Sequence, residues 1–113
     1  MANLISNKKA SFDFEILETF EAGISLMGTE VKSIRKGQGK LEGGHVIIRG
    51  NEAFLVNTSI PAFQKANVSK TYDPERPRKL LLTKKEIKHL EEMSEKQGLT
   101  LVPIRLYNNS RNK

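Results

Sequence analysis

The sequence contains no cysteine and no tryptophan, and aromatic residues of all kinds make up only 6% of its 113 residues. The absence of cysteine excludes a disulfide framework, a thiolate metal site and a cysteine nucleophile, and it fits a reducing compartment. With so few aromatic side chains, a surface that stacks on many unpaired bases is a poor model. No apolar run approaches the ~20 residues of a membrane helix, and the first twelve residues do not resemble a signal peptide. We therefore expect a cytoplasmic location.

Signals of catalysis are equally scarce. The two histidines, His45 and His89, have no metal-ligating partner at a useful spacing, and a solvated or half-buried imidazole is the simpler interpretation of each. The chain has no phosphate-binding glycine loop and no nucleophile motif, and no pair of carboxylates stands out as an acid and a base. The sequence thus predicts a binding protein rather than an enzyme, with neither metal nor cofactor.

Positive charge is what the sequence has in excess. Its 19 lysines and arginines outnumber its 13 acidic residues, which gives a formal net charge of +6. Such a balance favours a polyanionic partner, most often nucleic acid or the ribosome, although a merely soluble basic protein is the alternative. The charge is clustered in three places, namely Lys8 with Lys9, the set Lys32, Arg35, Lys36 and Lys40, and the stretch from Lys70 to Lys88.

Hydrophobic periodicity predicts several strands. A period of two runs through Phe12, Phe14, Ile16 and Phe20 and indicates a long strand that bends at Gly23 and continues to Met27. Three further segments have the composition of strands, with a turn signal at residues 50–51 between the first two and an edge or bulge expected at Pro103. These segments are His45–Arg49, Glu52–Val56 and Leu99–Tyr107.

Two helices are predicted between these strands. Thr29 can cap a helix from Glu30 to Lys36, and the spacing of Thr83 and Glu86 is that of a capping box. The second helix should end at Gly98, residues 60–72 should form a loop, and residues 78–82 form either a strand or an apolar run. The pattern suggests one domain over residues 1–113. Its fold class would be mainly β, an OB-fold-like antiparallel barrel with two or three flanking helices.

The second helix has an unusual polarity. Lys84 and Lys85 stand in its first turn, where cations oppose the helix dipole, which costs about 0.3–1 kcal/mol per charge at low salt. A phosphate backbone lying at this end would explain the arrangement. An incidental solvated face would explain it equally well, and the sequence leaves both open.

Five segments, taken together and in order, resemble the SmpB family. The number of matching segments and their order, rather than any single segment, carry the resemblance. The five segments are Asn7–Ala10, Ile16–Ile24, Gly28–Arg35, Asp73–Leu82 and Gly98–Tyr107.

The resemblance implies an RNA-binding protein with an OB-fold that binds the tRNA-like domain of transfer-messenger RNA (tmRNA), near its elbow, and delivers it to stalled ribosomes. It implies the ribosome as a further partner, and elongation factor Tu and alanyl-tRNA synthetase as indirect partners through tmRNA. A general ribosome-associated or single-stranded RNA-binding OB-fold module is the alternative, and a carbohydrate-binding or catalytic OB domain is a third possibility. The family continues beyond this sequence with a strand and a basic tail, so a truncated chain is expected, flexible at residues 1–6 and 108–113.

Matching the family residue by residue assigns tmRNA binding to Asn7, Glu21 and Leu81. Glu21 is an anion, so a hydrogen bond to a base or 2′-hydroxyl, or the orientation of an arginine, fits it better than a phosphate contact. Leu81 could be an apolar platform or part of the core. Phe12 and Tyr72 stand where the family usually has histidine, which removes any imidazole contact there. Further candidates for phosphate contacts are Lys8, Lys9, Lys32, Arg35, Arg76, Arg78 and Lys79.

Overall fold

The structure is a computed structural model, and it describes residues 2–63 and 72–108. Lys70 of the third basic cluster and residues 109–113 lie outside these ranges. In chain order the elements are β1 (Ala2–Ser6), α1 (Lys8–Asp13), β2 (Gly23–Ile24), α2 (Gly28–Arg35), β3 (His45–Arg49), β4 (Glu52–Val56), β5 (Arg78–Leu81), α3 (Lys84–Glu95) and β6 (Arg105–Asn108).

A four-stranded antiparallel sheet in the order β2-β5-β4-β3 forms the centre of the fold. The β3–β4 hairpin has the predicted bounds and pairs Arg49 with Glu52 across the turn. Gly50 adopts φ +64° in that turn, a conformation that glycine reaches without steric cost. The structure thus confirms the predicted hairpin. The hairpin was predictable because its signal lies entirely within twelve consecutive residues.

The two ends of the described chain form a second sheet. Strands β1 and β6 pair antiparallel, from Ala2 opposite Asn108 to Ser6 opposite Arg105. Residues 2–6, which we expected to be flexible, are therefore a strand, and they pair with Arg105–Asn108. Among the described residues the strands make two open sheets rather than a closed barrel. The mainly antiparallel character with a few helices is confirmed.

The predicted long strand from Phe12 to Met27 is wrong. Lys8–Asp13 form α1, residues 15–22 have no regular structure, and only Gly23–Ile24 pair with a neighbouring strand. Phe12, the first residue of the period-two pattern, is 86% exposed. A period of two creates a strand only where the backbone also finds a strand to bond with, and the described sheets offer one to this segment only at its end.

The structure confirms one of the two predicted helix caps and corrects the other. Thr83 Oγ1 accepts a hydrogen bond from the Glu86 amide at 3.1 Å, and Glu86 Oε1 accepts one from the Thr83 amide at 2.8 Å, as the capping box predicts. Helix α2 begins two residues earlier than predicted, with Met27 rather than Thr29 at the cap. No helix in the described ranges is long and apolar enough to cross a membrane.

The core lies between the sheets and α2. Its main cluster contains Ile5, Ile34, Leu41, Leu55 and Ile60. Helix α3 buries the apolar face that its spacing predicts, made of Ile87, Leu90 and Met93.

Candidate nucleic-acid interface

Glu30 lies at the centre of a buried polar cluster that joins α2 to β5. Its carboxylate accepts hydrogen bonds from the guanidinium groups of Arg76 and Arg78, with Arg78 Nη2 at 2.6 Å from Oε2 and Arg76 Nε at 3.0 Å from the same oxygen. The Met27 amide donates to Oε1 at 2.8 Å, and the Tyr72 hydroxyl donates to Oε2 at 3.0 Å. The Glu30 side chain is completely buried, so these bonds take the place of its hydration.

The cluster keeps Glu30 ionised. Burial by itself would raise the pKa of this carboxyl, but the hydrogen bonds from its neighbours outweigh that effect and lower the pKa from 4.5 to about 2. The donors are Arg76, the Met27 amide, Arg78 and Tyr72. Burial and the adjacent carboxylate raise the pKa of Tyr72, so its hydroxyl keeps its proton and donates.

Arg78 does not face solvent, which contradicts its assignment as a phosphate contact. Its side chain has no exposed surface. Beyond Glu30, its guanidinium donates to the Thr58 carbonyl at 3.1 Å and the Pro74 carbonyl at 2.9 Å. The sequence placed Arg78 on the surface because it stands among other cations, but its position in β5 points it toward the interior.

The alternation of β5 turns Lys79 and Leu81 outward. Lys79 is exposed, and its Nζ lies 2.7 Å from Glu52 Oε2 on the neighbouring strand. Leu81 is 56% exposed, which favours the apolar platform over the core position that the sequence left open. Since α3 begins three residues later with Lys84 and Lys85, an apolar side chain lies beside a cationic helix start.

The sheet also brings Glu21 near Leu81. Gly23 pairs with Leu81 across β2 and β5, and a Cβ at Gly23 would lie 3.2 Å from Leu81 Cδ1. Glu21 is two residues from Gly23, so its Cα lies within about 7 Å of the Gly23 Cα, and its side chain is exposed. We call Glu21, Lys79, Leu81, Lys84 and Lys85 the β5–α3 surface.

The other candidates fall into two groups. Asn7 is buried, with 7% of its surface exposed, and its Nδ2 donates to the Pro103 carbonyl at 2.9 Å, so it ties the start of α1 to the segment before β6. Lys8 and Lys9 on α1 and Lys32 and Arg35 on α2 are exposed. They lie on α1 and α2, outside the β5–α3 surface.

Glu30 is the residue that sequence reasoning missed. The sequence placed it only in the first turn of a helix, where an acid suits the dipole. Its partners Arg76 and Arg78 stand 46 and 48 residues away along the chain, so no local pattern connects them. The stretch from Lys70 to Lys88 contains seven cations and three anions, and nothing within it indicates an anion contributed by a distant helix.

Chemically, the arrangement is suited to binding. Among the described residues no group of three or more metal-ligating side chains comes together, and the one strongly perturbed carboxyl is enclosed by cations rather than open to a substrate. The β5–α3 surface offers cations for phosphates, an apolar side chain for a base or sugar, and one anionic acceptor.

Comparisons with known proteins agree on one family. The family model described as "SmpB protein" matches residues 4–113. The SsrA-binding protein of Trichodesmium erythraeum is 52% identical over 101 residues, which are 89% of this chain and 65% of that protein. The SsrA-binding protein of Lacticaseibacillus casei is 51% identical over 104 residues, 92% of this chain and 66% of that one. This chain thus spans slightly less than two thirds of the length of these relatives.

A solved structure is similar over nearly the whole chain. It is described as "tmRNA-SmpB: a journey to the center of the bacterial ribosome", and the similar chain in it covers 94% of this chain at a TM-score of 0.76 and 45% sequence identity. The match covers 73% of that chain. At this identity the likeness extends to sequence as well as to fold.

Proposed function

The chain belongs to the SmpB family, and on that premise we propose that it binds the tRNA-like domain of tmRNA and delivers it to stalled ribosomes in trans-translation. Its relatives are named for binding SsrA, and the solved structure that it resembles is described as a complex of tmRNA and SmpB. The proposal makes this a binding protein of the cytoplasm that carries out no reaction of its own. Elongation factor Tu and alanyl-tRNA synthetase would act beside it, through tmRNA.

The observation that carries the proposal is the exposure of Leu81 beside a cationic helix start. In β5, 56% of the Leu81 surface is exposed, so its side chain is open to a partner. An apolar side chain next to phosphate-binding cations suits a folded RNA, which presents sugars and unstacked bases between its phosphates. Glu21 can accept a hydrogen bond from a base or a 2′-hydroxyl at the same place.

The exposed cations supply the electrostatic part of the proposed interaction. Phosphate contacts from the β5–α3 surface and from α1 and α2 would release counterions when RNA binds. With about four to six such contacts, log K should fall against log salt with a slope of roughly −3 to −5. We propose that the two open sheets are parts of an OB-fold-like barrel.

Competition between RNAs tests the proposal. The chain is mixed with labelled tmRNA tRNA-like domain and challenged with unlabelled tmRNA, with tRNA and with an unstructured RNA of equal length. We expect tmRNA to compete best and unstructured RNA worst, with the steep salt dependence given above. Equal competition by all three would instead favour the alternative, a general ribosome-associated or single-stranded RNA-binding module. A slope near zero would reject nucleic-acid binding altogether.

A further inference from the structure

The buried cluster contains more positive than negative charge. One carboxylate, Glu30, faces two guanidinium groups, so a single positive charge is left over. The two arginines are not equivalent, because Arg78 is completely buried whereas 27% of the Arg76 side chain is exposed. The excess charge therefore reaches the surface at Arg76.

Glu30 also fixes the orientation of the Arg76 guanidinium. Nε and Nη2 of Arg76 donate to the two different oxygens of this carboxylate, at 3.0 Å and 2.5 Å, in the two-pronged geometry that orients the guanidinium plane. Nη1 makes only a long 3.4 Å contact to the Pro77 carbonyl. A guanidinium has five N–H groups, and with the inner edge held by Glu30 the remaining ones are left on the other edge.

Arg78 differs from Arg76 in this respect. All three of its nitrogens donate within the protein, to acceptors that include the Glu30 carboxylate and the Thr58 and Pro74 carbonyls. Arg78 anchors the cluster in the interior and has no edge left for a ligand. Of the two arginines bound to Glu30, it is Arg76 that combines a fixed orientation, an excess charge and access to solvent.

From this geometry we infer that Glu30 is a positioning residue for RNA binding: it holds Arg76 with one edge of the guanidinium presented to a phosphate. The inference rests on the proposed function, and it makes a buried anion necessary for binding a polyanion. Because the Arg76 guanidinium is already oriented before RNA binds, less side-chain entropy is lost when the contact forms. The Arg76→Lys substitution would keep the positive charge but remove the planar set of N–H donors.

For the Glu30→Gln variant, the inference predicts weaker RNA binding, whereas the change in net charge alone predicts stronger binding. Replacing Glu30 by glutamine raises the net charge by one, so long-range attraction alone would strengthen RNA binding. If Glu30 acts through Arg76, the E30Q variant binds about tenfold more weakly, and the slope of log K against log salt becomes shallower by about 0.7–0.9 because one phosphate contact is lost. A loss of stability alone would not change that slope at a temperature where the variant is folded.

The test measures binding of the tmRNA tRNA-like domain by wild type, E30Q, R76K and R49K, with circular dichroism to check folding. R49K is the matched control, because Arg49 is exposed and lies outside the cluster and the β5–α3 surface. We expect weaker binding by E30Q and R76K and binding within twofold of wild type by R49K. Tighter binding by folded E30Q, or R76K within twofold of wild type, would overturn the inference, and R76K decides if E30Q does not fold. Absence of binding by the unmodified chain would instead reject the proposed function.

Discussion

Arg78 and Glu30 form an ion pair with 2.6 Å between Nη2 and Oε2, and neither side chain is exposed to solvent. Lys79, the next residue, points to the other face of β5 and makes its ion pair at the surface. Two adjacent cations in the most basic part of the sequence therefore have different roles. One joins α2 and β5 to the segment that follows β4, and the other is available to a partner.

Replacing Arg78 by methionine should destabilise the fold strongly. The variant keeps similar bulk but leaves Glu30 and the Thr58 and Pro74 carbonyls without this donor, and breaking a buried pair typically costs about 3–5 kcal/mol. Lys79→Met is the matched control, since a surface pair contributes about 0–1 kcal/mol. Urea denaturation of both variants gives the comparison. Equal losses of unfolding free energy would show that the burial of Arg78 is not what stabilises this region.

Stability should depend on pH through Glu30. Its pKa is about 2 in the folded chain and 4.5 ordinarily, so the unfolded chain takes up this proton more readily. The stabilisation is thus fully present above about pH 5 and is lost as pH falls toward 2, and it corresponds to about 3 kcal/mol. Unfolding free energies of wild type and E30Q, measured between pH 7 and pH 2, should converge at low pH. Parallel curves would contradict the assignment.

Removal of the Thr83 cap should weaken α3. The Thr83→Ala variant loses the acceptor for the Glu86 amide, which costs about 0.5–2 kcal/mol. Thr100→Ala is a suitable control, because Thr100 is exposed and lies outside the helices and strands. Thermal denaturation should give a lower midpoint for the first variant alone. If both variants melt like wild type, the capping box does not contribute measurably to stability.

Leu81 should affect RNA binding more than folding. With 56% of its surface exposed, Leu81→Ala removes little buried area, and the unfolding free energy should change by about 0.5 kcal/mol or less. Affinity for the tmRNA tRNA-like domain should nevertheless fall severalfold. Leu80→Ala provides the contrast, because Leu80 packs against the core and should lose stability first. Unchanged affinity in L81A would remove Leu81 from the proposed interface.

Features encoded within a few residues were predictable from the sequence. The β3–β4 hairpin and the α3 capping box each depend on contacts between close neighbours in the chain, so local chemistry specifies them. The predicted position of the α2 cap was wrong by two residues, and the reason is also local. Glu30 reaches back to the Met27 amide, and this bond places the first turn earlier than a threonine cap at position 29 would.

The candidate surface was predictable only in outline. Clustered cations and the family resemblance indicated an RNA-binding protein, and Leu81 and Glu21 were named from the resemblance. Which cations face outward was not predictable, because inward and outward positions in β5 depend on its pairing with β4. Arg78 was consequently assigned to the wrong side of the strand.

The sequence by itself determined the local elements, the basic character and the family of this protein. Tertiary structure decided that residues 2–6 pair with residues 105–108, that the apolar segment from Phe12 to Phe20 does not form a strand, and that Glu30 captures two arginines. The physical reason is the same in each case. A strand partner or a buried counter-charge comes from a distant part of the chain, and only the folded arrangement brings the two within hydrogen-bonding distance.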